Sequence, residues 1–286
     1  MIQSMTGFGK ATLQLPTKKI TVEVKSLNSK GLDLNVRMPS LYREMELGLR
    51  NQIALQLERG KVDFSIFIES TAEQTSTKVN VPIVKGYMEQ LRAVYAEADE
   101  VELMKMAIRM PDTMKTEREE IDEKDWAQIE TAIAEALQNI LTFRRDEGLS
   151  LEKEFQLRIA NIRQYMNEAL ALDHERVHNI KDRLHHAITE LKVAVDENRF
   201  EQELIYYLEK LDITEEKVRL TNHLDYFLET IKGTEANGRK LGFITQEMGR
   251  EINTMGSKSN HAQMQKLVVQ MKDELEKIKE QVLNVL

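Results

Sequence analysis

Apolar and polar positions alternate in three stretches near the start of the chain. Ile20, Val22 and Val24 alternate with Thr21, Glu23 and Lys25. Leu32, Leu34, Val36 and Met38 alternate with Asp33, Asn35 and Arg37. Val62, Phe64, Ile66 and Ile68 repeat the pattern. Period two predicts half-buried strands. Asn28-Ser29-Lys30-Gly31 supplies turn residues between the first two, which predicts a hairpin. Pro39-Ser40 opens a helix expected to reach about Glu58, closed by Arg59-Gly60. Pro82 suits the first turn of another helix, running to about Ala98.

The period then changes. No proline follows Pro111, and no glycine lies between Gly148 and Gly233. Phe155, Ile159, Ile162, Met166, Leu170, Val177, Ile180 and Leu184 recur at helical steps. They predict long amphipathic helices that need a partner. Thr214, followed by Glu215 and Glu216, starts a further helix in N-cap style. Gly233 to Gly238 is expected to be a loop, and a helix follows from about Arg239 to Met255. Gly256 to Asn260 breaks it before a last helix carrying Leu267, Met271, Leu275 and Ile278. The expected class is α+β. Residues 1–155 form a domain rich in antiparallel strands, with helices. Residues 156–205 form a helical connector or arm, and residues 206–286 an all-α C-terminal domain.

Composition narrows the chemistry. The chain has 286 residues, a formal net charge of −8 and no cysteine. A disulfide scaffold, a zinc finger and a thiol nucleophile are excluded. The first residues lack a basic and then apolar leader, and no apolar run approaches the ~18 residues of a membrane span. A cytoplasmic protein that does not enter a membrane is expected. The acidic balance argues against uniform coating of nucleic acid and leaves room for a local basic channel. Thr6 to Lys10 lacks the spacing of a phosphate loop, and neither Gly-x-Ser-x-Gly nor His-Glu-x-x-His occurs.

Two helix edges carry candidate chemistry. On a wheel of ~100° per residue, Glu216, Arg219 and His223 share one edge beside the stripe Leu220, Leu224, Phe227 and Ile231. Carboxylate, guanidinium and imidazole together can bind a phosphate and move a proton. A boundary histidine beside an intrahelical ion pair gives the same spacing. On the next helix, Glu247 and Glu251 are a like-charge pair one turn apart, with Gly249 between them. Both features cost helix stability. A close approach or a cation would offset that cost, and paired carboxylates can hold Mg²⁺ or Mn²⁺ against a phosphate. Solvated glutamates paired with Arg250 or Lys240 are the alternative. His174, His178, Asp182 and His185 also share a face, but charges crowd them and a solvated face is expected. Lys25 and Arg37 could meet phosphates from a sheet face, or simply face solvent.

Two segments carry a family resemblance. One is Ser4-Met5-Thr6-Gly7-Phe8-Gly9, with Glu23 to Pro39 behind it. The other runs from Asp212 through Thr214, Glu216, Arg219 and His223 to the stretch Gly238–Lys258. The chain resembles the YicC/YloC family of bacterial endoribonucleases from end to end, most closely over residues 206–286. The resemblance implies a cytoplasmic, divalent-metal-dependent (Mn²⁺ or Mg²⁺) endoribonuclease, assembled as a homohexamer around a channel that closes on structured RNA. It maps the C-terminal pattern onto Glu216, Arg219, His223, Arg239, Lys240, Glu247, Arg250, Glu251, Asn253 and Lys258. On that basis His223, Glu216, Arg219 and Arg250 are expected to be catalytic, and Glu247 and Glu251 to hold the metal. Lys25, Arg37, Arg239, Lys240, Asn253 and Lys258 are expected to contact RNA. The chain departs from the family at Ser29-Lys30, where many relatives have a His-Arg-like pair. Gly242 and Gly249 stand where Asp and Asn are common. The expected partners are a hairpin or small RNA, further copies of the chain, and other RNA-decay enzymes. The rival function is a non-catalytic adaptor that delivers small RNAs to another nuclease.

Overall fold

Strand β1 (Gly7–Gln14) shows why a close-packed strand can hide in a sequence. Its inward positions include Gly9 and Ala11, too small to read as an apolar alternation. The computed structural model describes residues 2–16, 18–70, 77–116, 123–191, 197–233 and 238–286. β1 pairs antiparallel with β2 (Lys18–Leu27), and β2 pairs antiparallel with β4 (Gly60–Ser70). β3 (Leu32–Arg37) lies on the far side of β4 and runs parallel to it. The expected hairpin between β2 and β3 is therefore absent. A parallel neighbour needs a crossover. Here the crossover is a 3₁₀ turn at Ser40–Met45 leading into helix α1 (Glu46–Leu57). The sheet order is β1-β2-β4-β3.

Ile20, Val22 and Val24 of β2 and Val62, Phe64 and Ile66 of β4 face inward, as their alternation predicts. They pack with Leu49, Ile53 and Leu57 of α1 and with Ile129, Ile133, Leu137 and Ile140 of α4 (Glu123–Ala171). Burying each such side chain contributes about 1.5–3 kcal/mol before conformational entropy is charged. Off this core lies a small lobe. Strand β5 (Thr77–Val79) pairs with β6 (Met114–Thr116), and helices α2 (Val81–Val94) and α3 (Glu100–Ala107) pack together. The helix predicted from Pro82 ends at Val94, four residues early, and Asp99 caps α3 through hydrogen bonds from the N–H groups of Val101 and Glu102.

α4 is 49 residues long and serves two cores. Beyond Leu151 its stripe of Phe155, Ile159, Ile162 and Met166 joins a second core with the C-terminal helices. These are α7 (Thr214–Lys232), α8 (Gly238–Lys258) and α9 (Ala262–Val282). Residues 156–171, assigned by sequence to the connector, thus pack in the C-terminal core. Residues 234–237, expected as loop, lie outside the described part. The arm consists of α5 (Asp173–Leu191) and α6 (Glu197–Leu211). Ile180 is buried in α5, and no described side chain of α6 is buried.

The junction between the cores is polar. Arg144 on α4 is 1% exposed and donates to the carbonyls of Leu57, Arg59 and Met5 and to the Ser26 hydroxyl. Burial lowers its pKa, and the Glu58 carboxylate partly opposes that shift. The chain termini meet at the same junction. Met5 N–H donates to Asn284 O at 2.7 Å, and Leu286 N–H donates to Gln3 O at 2.9 Å. Backbones come very close there. A Cβ at Gly148 would lie 2.2 Å from Ile2 O, and one at Gly9 would lie 2.1 Å from Ala136 O. The Ser4–Gly9 signature is accordingly a packing motif that brings the first strand under α4.

Candidate active site on the α7–α8 hairpin

α7 and α8 bury Leu220, Leu224, Phe227 and Ile231 against Leu241, Ile244, Met248, Ile252 and Met255. The first of these sets is the stripe predicted from the wheel. The start of α7 meets the end of α8, so the helices run antiparallel. Lys258 Nζ, 27% exposed, donates 2.8 Å to Glu216 Oε1 and 2.8 Å to Asp212 O. Asp212 in turn accepts from the Thr214 hydroxyl at 2.7 Å and its N–H at 3.1 Å, which starts α7. The Thr214 hydroxyl bond holds the Asp212 carboxyl below its ordinary pKa against a burial penalty, assisted by the Thr214 N–H and the Lys258 charge. Thr214 is the first helical residue of α7, and Asp212 supplies the side-chain cap.

The Glu216–Lys258 contact sets the level of the two helices. Seven residues further into each, about 10.5 Å along the axis and nearly two full turns, stand His223 and Glu251. They therefore share a level and an edge of the hairpin. His223 is half-buried. Glu251 is 8% exposed, and among the described residues it has neither a hydrogen bond nor an ion pair. Glu216 is 5% exposed, and its Oε2 is buried without a hydrogen-bond partner. Burial of unpaired carboxylate oxygen is costly. Glu216 Oε2 is the position where the hairpin stores that cost.

The other candidates divide. Glu247 is ion-paired with Arg250 at 3.1 Å on the surface, the pairing foreseen as the alternative to metal binding. Arg219 pairs with Glu215 and is exposed. Lys240 Nζ sits 4.8 Å from the Tyr226 ring centre. Arg239 and Asn253 are exposed. Lys258, expected to reach RNA, spends its ammonium on Glu216 and Asp212. In α5, His178 pairs with Asp182 at 3.3 Å and His185 is exposed, as expected of a solvated face. The side chain of His174 lies outside the described part.

Lys25 and Arg37 share the outer face of the sheet, because Lys25 and Asn35 both lie opposite Asp63 while Arg37 lies opposite Ser65. Lys25 is 3.5 Å from Glu23, whose carboxyl is held below its ordinary value first by Lys10 and then by Lys25. No described contact joins this face to the α7–α8 edge. Sequence reasoning missed Asp212 as a member of the site. Asp212 two residues before Thr214 was a readable capping signal.

A divalent cation fits part of this set. Among the described residues no three His, Asp or Glu groups form a metal cluster. Glu247 and Glu251 stand one turn apart, Glu247 half-buried and held by a surface ion pair with Arg250, Glu251 buried without a partner. Mg²⁺ is characteristically held by one or two carboxylates, waters and substrate phosphate, which suits that pair better than a closed protein cage. Glu216 is engaged by Lys258 instead.

The fold and this edge define an α+β protein that carries carboxylate, imidazole and guanidinium groups on a helical hairpin. The YicC-like N-terminal region of endoribonucleases matches residues 2–153, and the YicC-like C-terminal region matches residues 169–286. A protein of Clostridioides difficile strain 630 described as "Probable endoribonuclease YicC" is 33% identical over 293 residues, covering 100% of both chains. One of Haemophilus influenzae with the same description is 28% identical over 288 residues, again covering 100% of both. The chain belongs to the YicC-like endoribonuclease family.

Proposed function

We propose that the protein is a metal-dependent endoribonuclease that cuts structured RNA at the His223–Glu251 level of the hairpin. The observation that carries this reading is Glu251, a buried residue without a hydrogen-bond or ion-pair partner among the described residues, on the hairpin edge that also carries an imidazole. Glu251 and Glu247 would hold Mn²⁺ or Mg²⁺, which supplies Lewis-acid polarisation of the phosphoryl oxygen or a bound water of lowered pKa. His223 then takes or gives the proton of the displacement, the task imidazole performs near neutral pH. Arg219 and Arg250 are exposed on the same hairpin and can exchange their surface glutamates for a phosphate. Such pairs contribute only ~0–1 kcal/mol, so the exchange costs little. Arg239, Lys240 and Asn253 track the backbone. Six per cent aromatic residues make extended base stacking a minor term, which favours recognition of hairpin shape.

The reaction is proposed to take place within a homohexamer. Val94, Tyr95, Ile205 and Tyr206 are large exposed side chains that self-association would cover. Among the described residues no helix is long and apolar enough to cross a membrane.

The deciding test is cleavage of an end-labelled RNA hairpin with Mn²⁺ or with EDTA, wild type beside Glu251→Ala. Cleavage that requires both the metal and Glu251 is expected, with RNA binding in EDTA retained. Metal-dependent cleavage by Glu251→Ala at the wild-type rate would remove Glu251 from the site. Binding without cleavage by the wild type would leave an RNA adaptor.

A further inference from the structure

Arg176 is the buried guanidinium that the nuclease reading leaves unused. It lies in the first turn of α5 and is 2% exposed. Nη1 donates 2.7 Å to Lys258 O at the end of α8, and Nη2 donates 2.9 Å to Leu211 O at the end of α6. Asp173 Oδ1 stands 2.6 Å from Nη2 as the counter-charge, at an angle outside hydrogen-bond geometry. Final carbonyls of a helix have no intrahelical donor. One guanidinium therefore satisfies two helix ends at once.

These contacts close a ring. From Arg176 the path runs to the Lys258 carbonyl and along the Lys258 side chain to Asp212 O. It crosses one peptide to Leu211 O and returns to Arg176. Lys258 is thus gripped at both ends, by Arg176 on its carbonyl and by Glu216 and Asp212 on its ammonium. The rest of the arm is thinly packed. Ile180 is its other buried side chain in the described part, and α6 exposes Ile205 and Tyr206. A poorly buried element moves at low free-energy cost, and its motion passes to the body through whatever contacts hold it.

We propose that Arg176 is a positioning residue that couples the α5–α6 arm to the Lys258–Glu216 pair, so that the seating of the arm sets the geometry of the cleavage site. The proposal rests on the nuclease reading above. Arginine suits the position because its rigid fork reaches two carbonyls at once, whereas a lysine ammonium is a single point on a flexible stem. Displacement of Lys258 moves the hydrogen-bond donor of Glu216 and frees its second oxygen, one heptad from His223.

The test uses the full chain with an end-labelled RNA hairpin in Mn²⁺. It compares wild type, Arg176→Lys, Lys258→Ala and the double variant, with kcat and KM for each and RNA affinity in EDTA. Arg176→Lys is expected to lower kcat about tenfold or more, the scale of a small misplacement at a reacting centre. RNA affinity in EDTA should stay within about twofold, as a guanidinium with no contact to the phosphate predicts. The double variant should be no slower than Lys258→Ala alone, because both changes open the same ring. A role confined to stability would not produce that non-additivity. Wild-type kcat in Arg176→Lys, or losses that multiply in the double variant, would overturn the coupling while leaving the nuclease reading intact. Absence of cleavage by the wild type would overturn both. If Arg176→Lys fails to fold, Asp173→Asn makes the same test by loosening the guanidinium and leaving its donors in place. It should show the same non-additivity with Lys258→Ala, and additive losses would overturn the coupling.

Discussion

Glu274, on α9, is 6% exposed and satisfied from three directions: Arg158 Nη1 at 3.3 Å, Asn161 Nδ2 at 3.0 Å and Lys277 Nζ at 2.6 Å. Burial alone would raise its pKa, and the donors, Lys277 first, reverse that and hold it below the ordinary carboxylate value. A carboxyl with a lowered folded-state pKa adds stability above its unfolded pKa, near 4.3 for glutamate, and the contribution is lost as pH falls through the folded value. Glu274→Gln should therefore be less stable than wild type at pH 7, by about 1–2 kcal/mol for loss of a charge-assisted network. The gap should close as the medium is acidified through and below the carboxylate range. Urea unfolding at several pH values measures it, and a gap that stays constant down to pH 3 would contradict this assignment. Glu216 and Glu251 show how far single residues were legible. Their helix edge followed from 3.6-residue spacing alone. Their burial, and the Lys258 contact across 42 positions, did not, because spacing on one helix carries no information about which neighbour covers it. Arg176 looked like one more charge on a solvated helix for the same reason.

At the scale of elements, two glycines that look alike in sequence should respond in opposite directions. Nothing lies within 4 Å of the position a Cβ would take at Gly242, in the interior of α8. Gly242→Ala removes backbone freedom from the unfolded chain and should stabilise the protein by about 0.5–1 kcal/mol. At Gly9 the same methyl would meet Ala136 O and, at 2.8 Å, Ile140 N, both backbone atoms of α4. Gly9→Ala must push β1 away from α4 and should cost about 3 kcal/mol, the upper part of the overpacking range. Thermal unfolding of both variants checks the pair, and two shifts of equal sign would refute it. Strands β2, β3 and β4 were legible because one face of each is solvated, so period two survives. Their pairing was not. Alternation is the same for a parallel and an antiparallel neighbour, and the β2–β3 turn residues pointed to a hairpin that the α1 crossover replaces. β1 was hidden because close approach to α4 requires Gly9 and Ala11 where an apolar marker would stand.

For the whole molecule, the decisive fact is that one helix belongs to both cores. The first core takes α4 up to Ile140 and the second takes it from Leu151, while helical periodicity runs unbroken through the change. That continuity is why the boundary could not be located from apolar spacing. Between the two lies Arg144, which ties α4 to Met5, to Ser26 on β2 and to the carbonyls of Leu57 at the end of α1 and Arg59 beyond it. The same crossing holds Ser4 N–H on Arg144 O at 3.0 Å. Coupling between the cores is thus concentrated in α4 and in the strap formed by residues 2–6 and 284–286. The single tryptophan, Trp126, packs 5.5 Å from Tyr42 in the first core and reports on it alone by fluorescence. Far-ultraviolet circular dichroism is dominated instead by α4 to α9. With the junction intact, the two probes should give coincident urea transitions, the signature of one cooperative unit. Arg144→Leu removes a donor from three carbonyls and a hydroxyl, although the Ser26 hydroxyl still donates to Met5 O and the Arg59 N–H to Leu57 O; a group left unsatisfied costs about 1–3 kcal/mol. That loss falls at the junction and spares both apolar cores. The fluorescence midpoint should then fall by more than the circular dichroism midpoint, because Arg144 braces β2 and the end of α1 directly and the C-terminal helices only through α4. Midpoints that separate already in the wild type, or that shift equally in the variant, would show that the junction is not what joins the two halves into one folding unit.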